Sequence, residues 1–357
     1  MVDRWLLTPE ESAHYGLRQS DKDRRYYLSA RAWKDVVRPS FTQPDWTGLL
    51  DNKWLFAQTA AQRGLSTPRT LGLVHPTGGK SVDGRPIRNR DEFGDWIRDT
   101  RPSSFVIKPV AGMASKGVVL VREVEWDDNV PLFTIGDGTV RSLDWVWGSQ
   151  RGVDEFQGSI LQELVGPHPR MSAIGFDAPH TVRMLTYLDE RGDPRLLVAA
   201  LYAGREGDQV NSWKHGALSV HVDVQTGRLG RARTLPQYGT QWLTRNPDND
   251  VRFEGAELPY WADAVELCIA AARATSVHPF VVWEVTITPT GPVLIEGNRN
   301  FGIPLLQVHT DGFLKGPFRE TLERVNAAIP DGTVRWVIRN SLVARLMRRV
   351  HGRLRRS

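Results

Sequence analysis

The chain has 357 residues, 40% hydrophobic and 24% charged, a balance close to the globular average that excludes a wholly disordered polypeptide. A single cysteine, Cys268, excludes an internal disulfide and a multi-cysteine metal centre. The formal charge is +5, but eight arginines from Arg335 onward, with no acid among them, leave the remainder at −3 net, so the basic character is a property of the tail and argues against a nucleic-acid-binding body.

No apolar run approaches the roughly 18–20 residues that span a bilayer. Met1 to Glu11 lacks the basic-then-apolar order of a secretory leader. A cytoplasmic protein is expected, consistent with one unpaired thiol. At about 150 residues per domain, the length suits two domains or one large fold of several subdomains.

In chain order, residues 1–50 are polar, aromatic and arginine-rich, with helix expected over 21–37 and a break at Pro39 and Pro44. Asp51–Arg63 reads as a helix with Trp54, Ala57, Ala61 and Leu65 on one face, stopped by Gly64. Asp91–Asp99 reads as a short amphipathic helix with Phe93, Trp96 and Ile97 inward. The texture then changes to strands: Ser104–Val110 and Gly117–Val124, Ser159–Val165, a hairpin of Thr181–Leu188 and Arg195–Tyr202, and Leu218–Val224. Trp145 and Trp147 are expected on one face of a strand or helix. An alanine-rich helix over 260–274 buries Cys268 as inert packing, and a last hairpin joins Phe280–Ile287 to Pro292–Glu296. Helices mixed with antiparallel hairpins argue for an α+β fold.

Two segments carry chemistry. Lys108 interrupts an apolar strand, which is costly without an anionic partner. The small, flexible loop Gly112–Gly117 follows, with Ser115 and Lys116 as donors able to cradle a polyphosphate. Its setting is strand–loop–strand, unlike the phosphate loop that opens a helix. The plain alternative is a surface hairpin with an edge lysine. The second segment holds Glu284, Glu296 and Asn298. Glu296 and Asn298, two apart, share a strand face. A hairpin symmetric about Thr290 sets Glu284 opposite Glu296, where two carboxylates repel. A hard cation such as Mg²⁺ removes that penalty, with the asparagine carbonyl as a neutral third ligand. The plain alternative is a hairpin with one solvated acidic face.

The ordered set of Lys108, Gly112–Gly117, Gln162–Val165 (QELV), Arg183 in HTVRMLTYL and Trp283–Asn298 (WEVTITPTGPVLIEGN) resembles the ATP-grasp superfamily. More closely, it is similar to the sugar-transfer associated ATP-grasp group, akin to α-L-glutamate ligases. DNKWLFAQTAAQRGLSTPRTLG (51–72) and NSWKHGALSVHVDVQTGRL (211–229) share in the likeness, which runs from about Asp51 to His309.

The resemblance implies an α+β ATP-grasp fold, two α+β subdomains clasping ATP behind a helical N-terminal region. The division is then 1–50 helical, 51–104 a pre-ATP-grasp segment, 105–165 subdomain A, 166–330 subdomain B and 331–357 a basic amphipathic tail. It implies ATP and Mg²⁺ as cofactors, with Mn²⁺ as an alternative. Lys108 would contact the α- and β-phosphates, and the loop with Gly112, Ser115, Lys116 and Gly117 would close over them. Gln162, Glu163, Leu164 and Val165 would form the hinge strand, the last three offering main-chain groups to adenine. Glu284, Glu296 and Asn298 would hold the metal, and Arg183 would neutralise the transferring phosphoryl group. Apart from the resemblance, Asn211, Trp213, Lys214 and His215 cluster in a loop of the kind that touches phosphate or acceptor, the plain alternative being an ordinary exposed loop.

There are departures from the family pattern. Glu284 stands where many members have aspartate, Val282 where many have arginine, and no acid follows the hinge to hold the ribose. His168, in Gly166–Pro169, is the stand-in considered, against an ordinary surface histidine. In the tail, Ile338, Leu342, Leu346, Val350 and Leu354 step by four opposite arginines. Such a helix lies on an anionic membrane surface or packs on the body.

The expected activity is a carboxylate–amine ligase working through an acyl phosphate, in cell-surface polysaccharide or secondary metabolism, with small-molecule carboxylate and amine substrates and no nucleic-acid partner. Its alternatives are an ATP-grasp kinase acting on a hydroxyl or carboxylate, and a non-catalytic nucleotide-binding scaffold at a membrane.

Overall fold

The computed structural model describes residues 7–17, 23–112, 116–151, 158–175, 180–205, 216–234 and 239–327. Ser115, Asn211, Lys214 and the basic tail lie outside the described residues.

Two seven-stranded sheets, antiparallel at every described pair, form the body. In chain order the first holds β1 (Thr70–Val74), β2 (Lys80–Ser81), β3 (Phe105–Pro109), β4 (Val119–Asp127), β5 (Val130–Ile135), β6 (Val140–Ser142) and β7 (Ser159–Gln162), arranged β2-β1-β7-β3-β4-β5-β6. The second holds β8 (Thr181–Leu188), β9 (Pro194–Ala203), β10 (Leu218–Val222), β11 (Leu229–Arg233), β12 (Trp242–Leu243), β13 (Phe280–Thr288) and β14 (Gly291–Asn298), arranged β12-β11-β10-β9-β8-β13-β14.

Period-two alternation divides the first sheet. Phe105, Ile107, Val121, Phe133 and Leu161 point to one face, where the helices Arg90–Thr100 and Leu143–Arg151 deliver Phe93, Trp96, Ile97, Leu143 and Val146. Lys108 and Gln162 point to the other. The second sheet buries both faces. Behind it, Val182, Met184, Val281, Trp283, Val285, Ile287 and Leu294 meet the helix Trp261–Ala274 together with Leu50 and Phe56. In front, Leu185, Val198, Ala200, Phe280 and Val282 are covered by Trp33, Phe301, Phe313 and Phe318. That cover occupies one end of the front face and leaves Arg183 and Glu284 beyond it.

The structure corrects several expectations. Residues 70–81 form β1 and β2 of the first sheet, where β1 pairs with β7. The single helix over 21–37 is a 3₁₀ turn at Arg24–Tyr26 and then a helical run from Ala30 to Phe41. Pro39 ends no helix there. It has no N–H to return, and the five residues before Arg38, Trp33–Val37, adopt a π turn that carries the chain through. The helix Lys53–Gln62 buries Phe56, Ala57 and Ala60; of the expected face, Ala57 is buried and Leu65 packs on the core, while Trp54 is half-buried and Ala61 exposed. Trp145 and Trp147 lie in a helix, where residues two apart do not share a face: Trp147 packs on the first core while Trp145 is exposed beneath Arg141. Cys268 is buried, with its Sγ 3.5 Å from Met184 Sδ.

Trp33 anchors the front cover, its ring 4.7 Å from Phe301, 5.8 Å from Phe318 and 6.3 Å from Phe280. Trp33→Ala is expected to cost about 3–5 kcal/mol in denaturant unfolding, by lost burial and a cavity that the surrounding rings fill only in part. A loss under 1 kcal/mol would show that the N-terminal segment is not part of this core.

Candidate functional site

The hairpin β13–β14 builds the centre. Its two-residue loop sets Thr288 against Gly291, and the register runs regularly to Val285 against Leu294. There it shifts: Glu284 pairs with Glu296, Trp283 with Gly297 and Val282 with Asn298. Ile295 is the extra residue of a β-bulge. Without it, Glu284 would face Ile295, and Glu296 would point to the rear of the sheet. The symmetric hairpin expected from the sequence reaches the same pairing by a different route.

Beneath the acids, Gly297 is the one residue type that fits. A Cβ there would enter the Trp283 ring and stand 2.9 Å from Leu50 Cδ2. Trp283 is itself fixed, its Nε1 donating to Thr186 Oγ1 at 2.9 Å and its ring stacked 6.4 Å from Phe56.

Glu284 is buried and Glu296 half-buried, and donors surround both carboxylates. Arg183, directly opposite Glu284 on β8, donates through Nη1 to Glu284 Oε1, and its guanidinium lies 4.6 Å over the Tyr202 ring. Asn298 Nδ2 donates to Glu284 Oε1 and to Glu296 Oε1, both at 2.8 Å. Lys53 Nζ stands 3.5 Å from Glu296 Oε2 and donates to the Gly112 carbonyl at 3.1 Å. This lysine therefore links the second sheet to the loop after β3. Burial pushes the Glu284 carboxyl well above the usual carboxylate range against the pull of Arg183, with the Glu296 charge adding to the rise. Burial also pushes Glu296 upward, but Lys53 and the hydrogen bonds of Glu284 and Asn298 outweigh it and hold that carboxyl below the usual range.

Lys108 faces this group from the first sheet. Its Nζ donates to Gln162 Oε1 at 3.2 Å, and Gln162 is held in turn through Nε2 to the Pro68 carbonyl at 3.4 Å. Burial pushes the Lys108 ammonium down to about 8; the Glu296 and Glu284 carboxylates pull it up and the Lys53 charge opposes them. Gly117, at φ +75°, turns the chain into β4 in a conformation that suits glycine.

In the segment expected as the hinge, the Glu163 N–H donates to the Arg69 carbonyl at 2.9 Å. The Glu163 side chain turns away, pairs with Arg69 at 3.3 Å and lines a hollow of about 340 Å³ with Leu71 and Trp96. The His168 N–H donates to the Ile287 carbonyl at 2.7 Å, and its Nδ1 accepts from the Arg170 N–H at 3.0 Å, which joins the segment after β7 to β13.

Sequence reading missed Lys53 and Arg299. Lys53 occupies the first position of its helix, behind the Asn52 cap. A cation there opposes the helix dipole, and that mismatch was the available signal of an anionic partner. Arg299 forks onto Asp51, Nε standing 3.0 Å from both carboxylate oxygens, and so ties Asn298 to the segment carrying Lys53.

The donor set fits a divalent cation. Two carboxylates and an amide whose oxygen becomes available when its side chain turns over suit Mg²⁺, which completes its shell with water and phosphate. Among the described residues no group of three His, Cys, Asp or Glu side chains forms an alternative metal site.

A family model described as sugar-transfer associated ATP-grasp matches residues 38–322. The chain belongs to that family. No curated protein matches it. Among solved structures, this ATP-grasp chain is similar to an L-amino acid ligase from Bacillus licheniformis (13% identity, TM-score 0.39, 72% of this chain and 42% of that one). It is also similar to a biotin carboxylase–β-γ-ATP complex from Campylobacter jejuni (10%, 0.48, 81% and 49%) and to a D-alanine–D-alanine ligase from Coxiella burnetii (9%, 0.42, 87% and 63%). The chain spans less than half the length of the first two. Its two sheets, with helices on them and a helical N-terminal region, form an α+β ATP-grasp fold. No helix among the described residues is long and apolar enough to cross a membrane.

Gly297→Ala is expected to lower stability by about 1–3 kcal/mol and to change the near-ultraviolet circular dichroism of Trp283, since the methyl displaces that ring. Unchanged unfolding and an unchanged spectrum would mean that the strand moves off Trp283 without cost.

Proposed function

We propose that this protein is an ATP- and Mg²⁺-dependent ligase that joins a carboxylate to an amine. One observation carries the reading: Glu284, Glu296 and Asn298 converge on one sheet while Lys108 and Lys53 approach from the other side. This is the charge pattern that a metal-bound polyphosphate requires. The family supports ATP as the nucleotide, and Mn²⁺ suits the same ligands.

In this reading Lys108 and Lys53 bind phosphate oxygens, and the Gly112–Gly117 loop, with Ser115 and Lys116, closes over them. The Leu164 and Val165 main chain holds the adenine edge. Bound at Glu284, Glu296 and Asn298, Mg²⁺ would withdraw charge from the phosphates. Arg183, already beside Glu284, neutralises the γ-phosphoryl group as it moves. A substrate carboxylate oxygen attacks the γ-phosphorus, and the bond to the ADP oxygen breaks. The amine then attacks the acyl carbon, phosphate leaves, and the amine proton passes to solvent. Positioning and charge neutralisation supply the acceleration. Asn211 and Lys214 are proposed at the acceptor side of this site, and the basic tail as a peripheral membrane contact of a cytoplasmic enzyme.

The test is an ADP-release screen over carboxylate–amine pairs, uronic acids and amino acids included, with hydroxylamine to trap an acyl phosphate. Glu296→Ala and Lys108→Ala are expected to lose at least about 100-fold in turnover while retaining the wild-type circular dichroism spectrum. Turnover within threefold of wild type in either variant would refute the site. A phosphorylated hydroxyl with no hydroxamate would replace the ligase by a kinase.

A pH dependence follows from Lys108. Its native pKa is lowered, so the ammonium is charged below about 8 and neutral above. ATP binding needs the charge, and affinity should fall as pH rises past 8, by at most about tenfold per pH unit. Unliganded stability should move the opposite way, rising between pH 8 and the ordinary lysine range, because the unfolded chain binds the extra proton there. Lys108→Met should abolish both slopes in calorimetric titrations and in unfolding curves.

A further inference from the structure

The hollow of about 340 Å³ beside Glu163 opens to solvent, and its walls come from β1, the turn after β2, the end of the helix Arg90–Thr100 and the link into β3. It is separate from the site described above. Lys108 and Gln162 meet on one side of the first sheet, whereas Trp96 and Leu71 belong to the core on the other side, under the helices. Glu163, the residue after Gln162, turns to that helix side. None of the residues lining the hollow comes from the second sheet.

The wall is mixed in character. Thr100, Ser103 and Ser104 bring three hydroxyls. Thr100 Oγ1 donates to the Trp96 carbonyl at 2.7 Å and keeps its lone pairs for a further donor. Leu71, Val82 and Pro102 bring apolar surface, and Val82 stands 67% exposed at the rim. Both carboxylates at the hollow already have an arginine. Arg69 Nε lies 3.3 Å from Glu163 Oε2, and Arg85 Nε lies 2.8 Å from Asp83 Oδ2. The Arg69–Glu163 contact uses one atom of each group, which leaves both Arg69 Nη groups and Glu163 Oε1 for a ligand. An exposed pair of this kind adds little to stability, so engaging it costs little.

These features select a ligand class. A guanidinium beside a carboxylate presents donors and acceptors side by side, and two adjacent hydroxyls, each able to donate and accept, match them. Further hydroxyls around an apolar patch match a sugar ring, with its polar rim and its face of C–H groups. An ionised ligand matches less well: a carboxylate taking Arg69 would stand against Glu163, and an ammonium taking Glu163 would stand against Arg69. The volume lies at the lower end of small-molecule sites, roughly 300–1,000 Å³, which suits one ring and not a chain of them.

We propose that this hollow is a binding site for a neutral monosaccharide unit, held by Arg69, Glu163 and the hydroxyls of Thr100, Ser103 and Ser104. It stands on the helix side of the first sheet and does not rest on the ATP reading.

The experiment is calorimetric titration of the full chain with D-glucose, D-galactose and N-acetyl-D-glucosamine, and with the uronate and the amino sugar of each ring and L-alanine as charged counterparts. At least one neutral sugar should bind one-to-one in the millimolar range, and its charged counterparts and L-alanine should bind more weakly. Ser103→Trp, at an exposed position, should fill the hollow and abolish binding with an unchanged unfolding curve. The milder double variant Ser103→Ala/Ser104→Ala should weaken it by roughly 3–10-fold, the ordinary range for lost neutral hydrogen bonds. Saturating MgADP should leave the sugar affinity unchanged. No binding of any neutral sugar at tens of millimolar would overturn the proposal. Equal or tighter binding of a charged counterpart would overturn the ligand class. Wild-type sugar affinity in both serine variants, or displacement of the sugar by MgADP, would overturn the location. A chain that binds sugar but no adenine nucleotide would refute the ATP reading and uphold this site.

Discussion

Two carboxylates held opposite each other in a buried hairpin are the constraint on which the site depends. Like charges at directly opposed strand positions repel, and burial removes the water that would screen them. Nearly every polar neighbour offsets that repulsion. Asn298 donates to both acids, Arg183 takes one and Lys53 the other. Lys108 adds a further positive charge from across the gap. Because Lys53 also holds the Gly112 carbonyl, neutralising Glu296 ties the loop after β3 to the β13–β14 hairpin.

The scaffold makes that arrangement rigid where it must be. The extra residue Ile295 aims Glu296 forward, Gly297 lets the strand lie on Trp283, and the rear core under Trp283 is closed by Leu50 and Phe56. The same short stretch that supplies Leu50 and Phe56 supplies Asp51, which clasps Arg299, and Lys53. Packing and charge placement at the centre are thus set by one segment, residues 50–56. In front, the N-terminal cover around Trp33 fills one end of the sheet and so fixes where the free part of the face begins.

Much of this was legible in the chain. The lysine in an apolar strand, the flexible loop and the glutamates about a TPTGP turn each follow from rules about strands and buried charge. Their order carries the family likeness, and the family match over 38–322 agrees with it. What was not legible depends on contacts between segments distant in sequence. Lys53 sits at a helix start and meets an acid 243 positions later in the chain. The Glu163 N–H seemed available to a base until β1 brought the Arg69 carbonyl to it.

The sequence by itself determined the α+β class, the alternation that puts Lys108 opposite the apolar face of its strand, and the residue types able to hold a cation and phosphate. Those properties are local, fixed by side-chain chemistry and the period of a strand. Tertiary structure decided the rest: the bulge that makes Glu284 and Glu296 partners, the assignment of residues 70–81 to the first sheet, and the cations that neutralise the acids. Register and long-range pairing arise from the summed packing of both sheets, and no local pattern contains that sum.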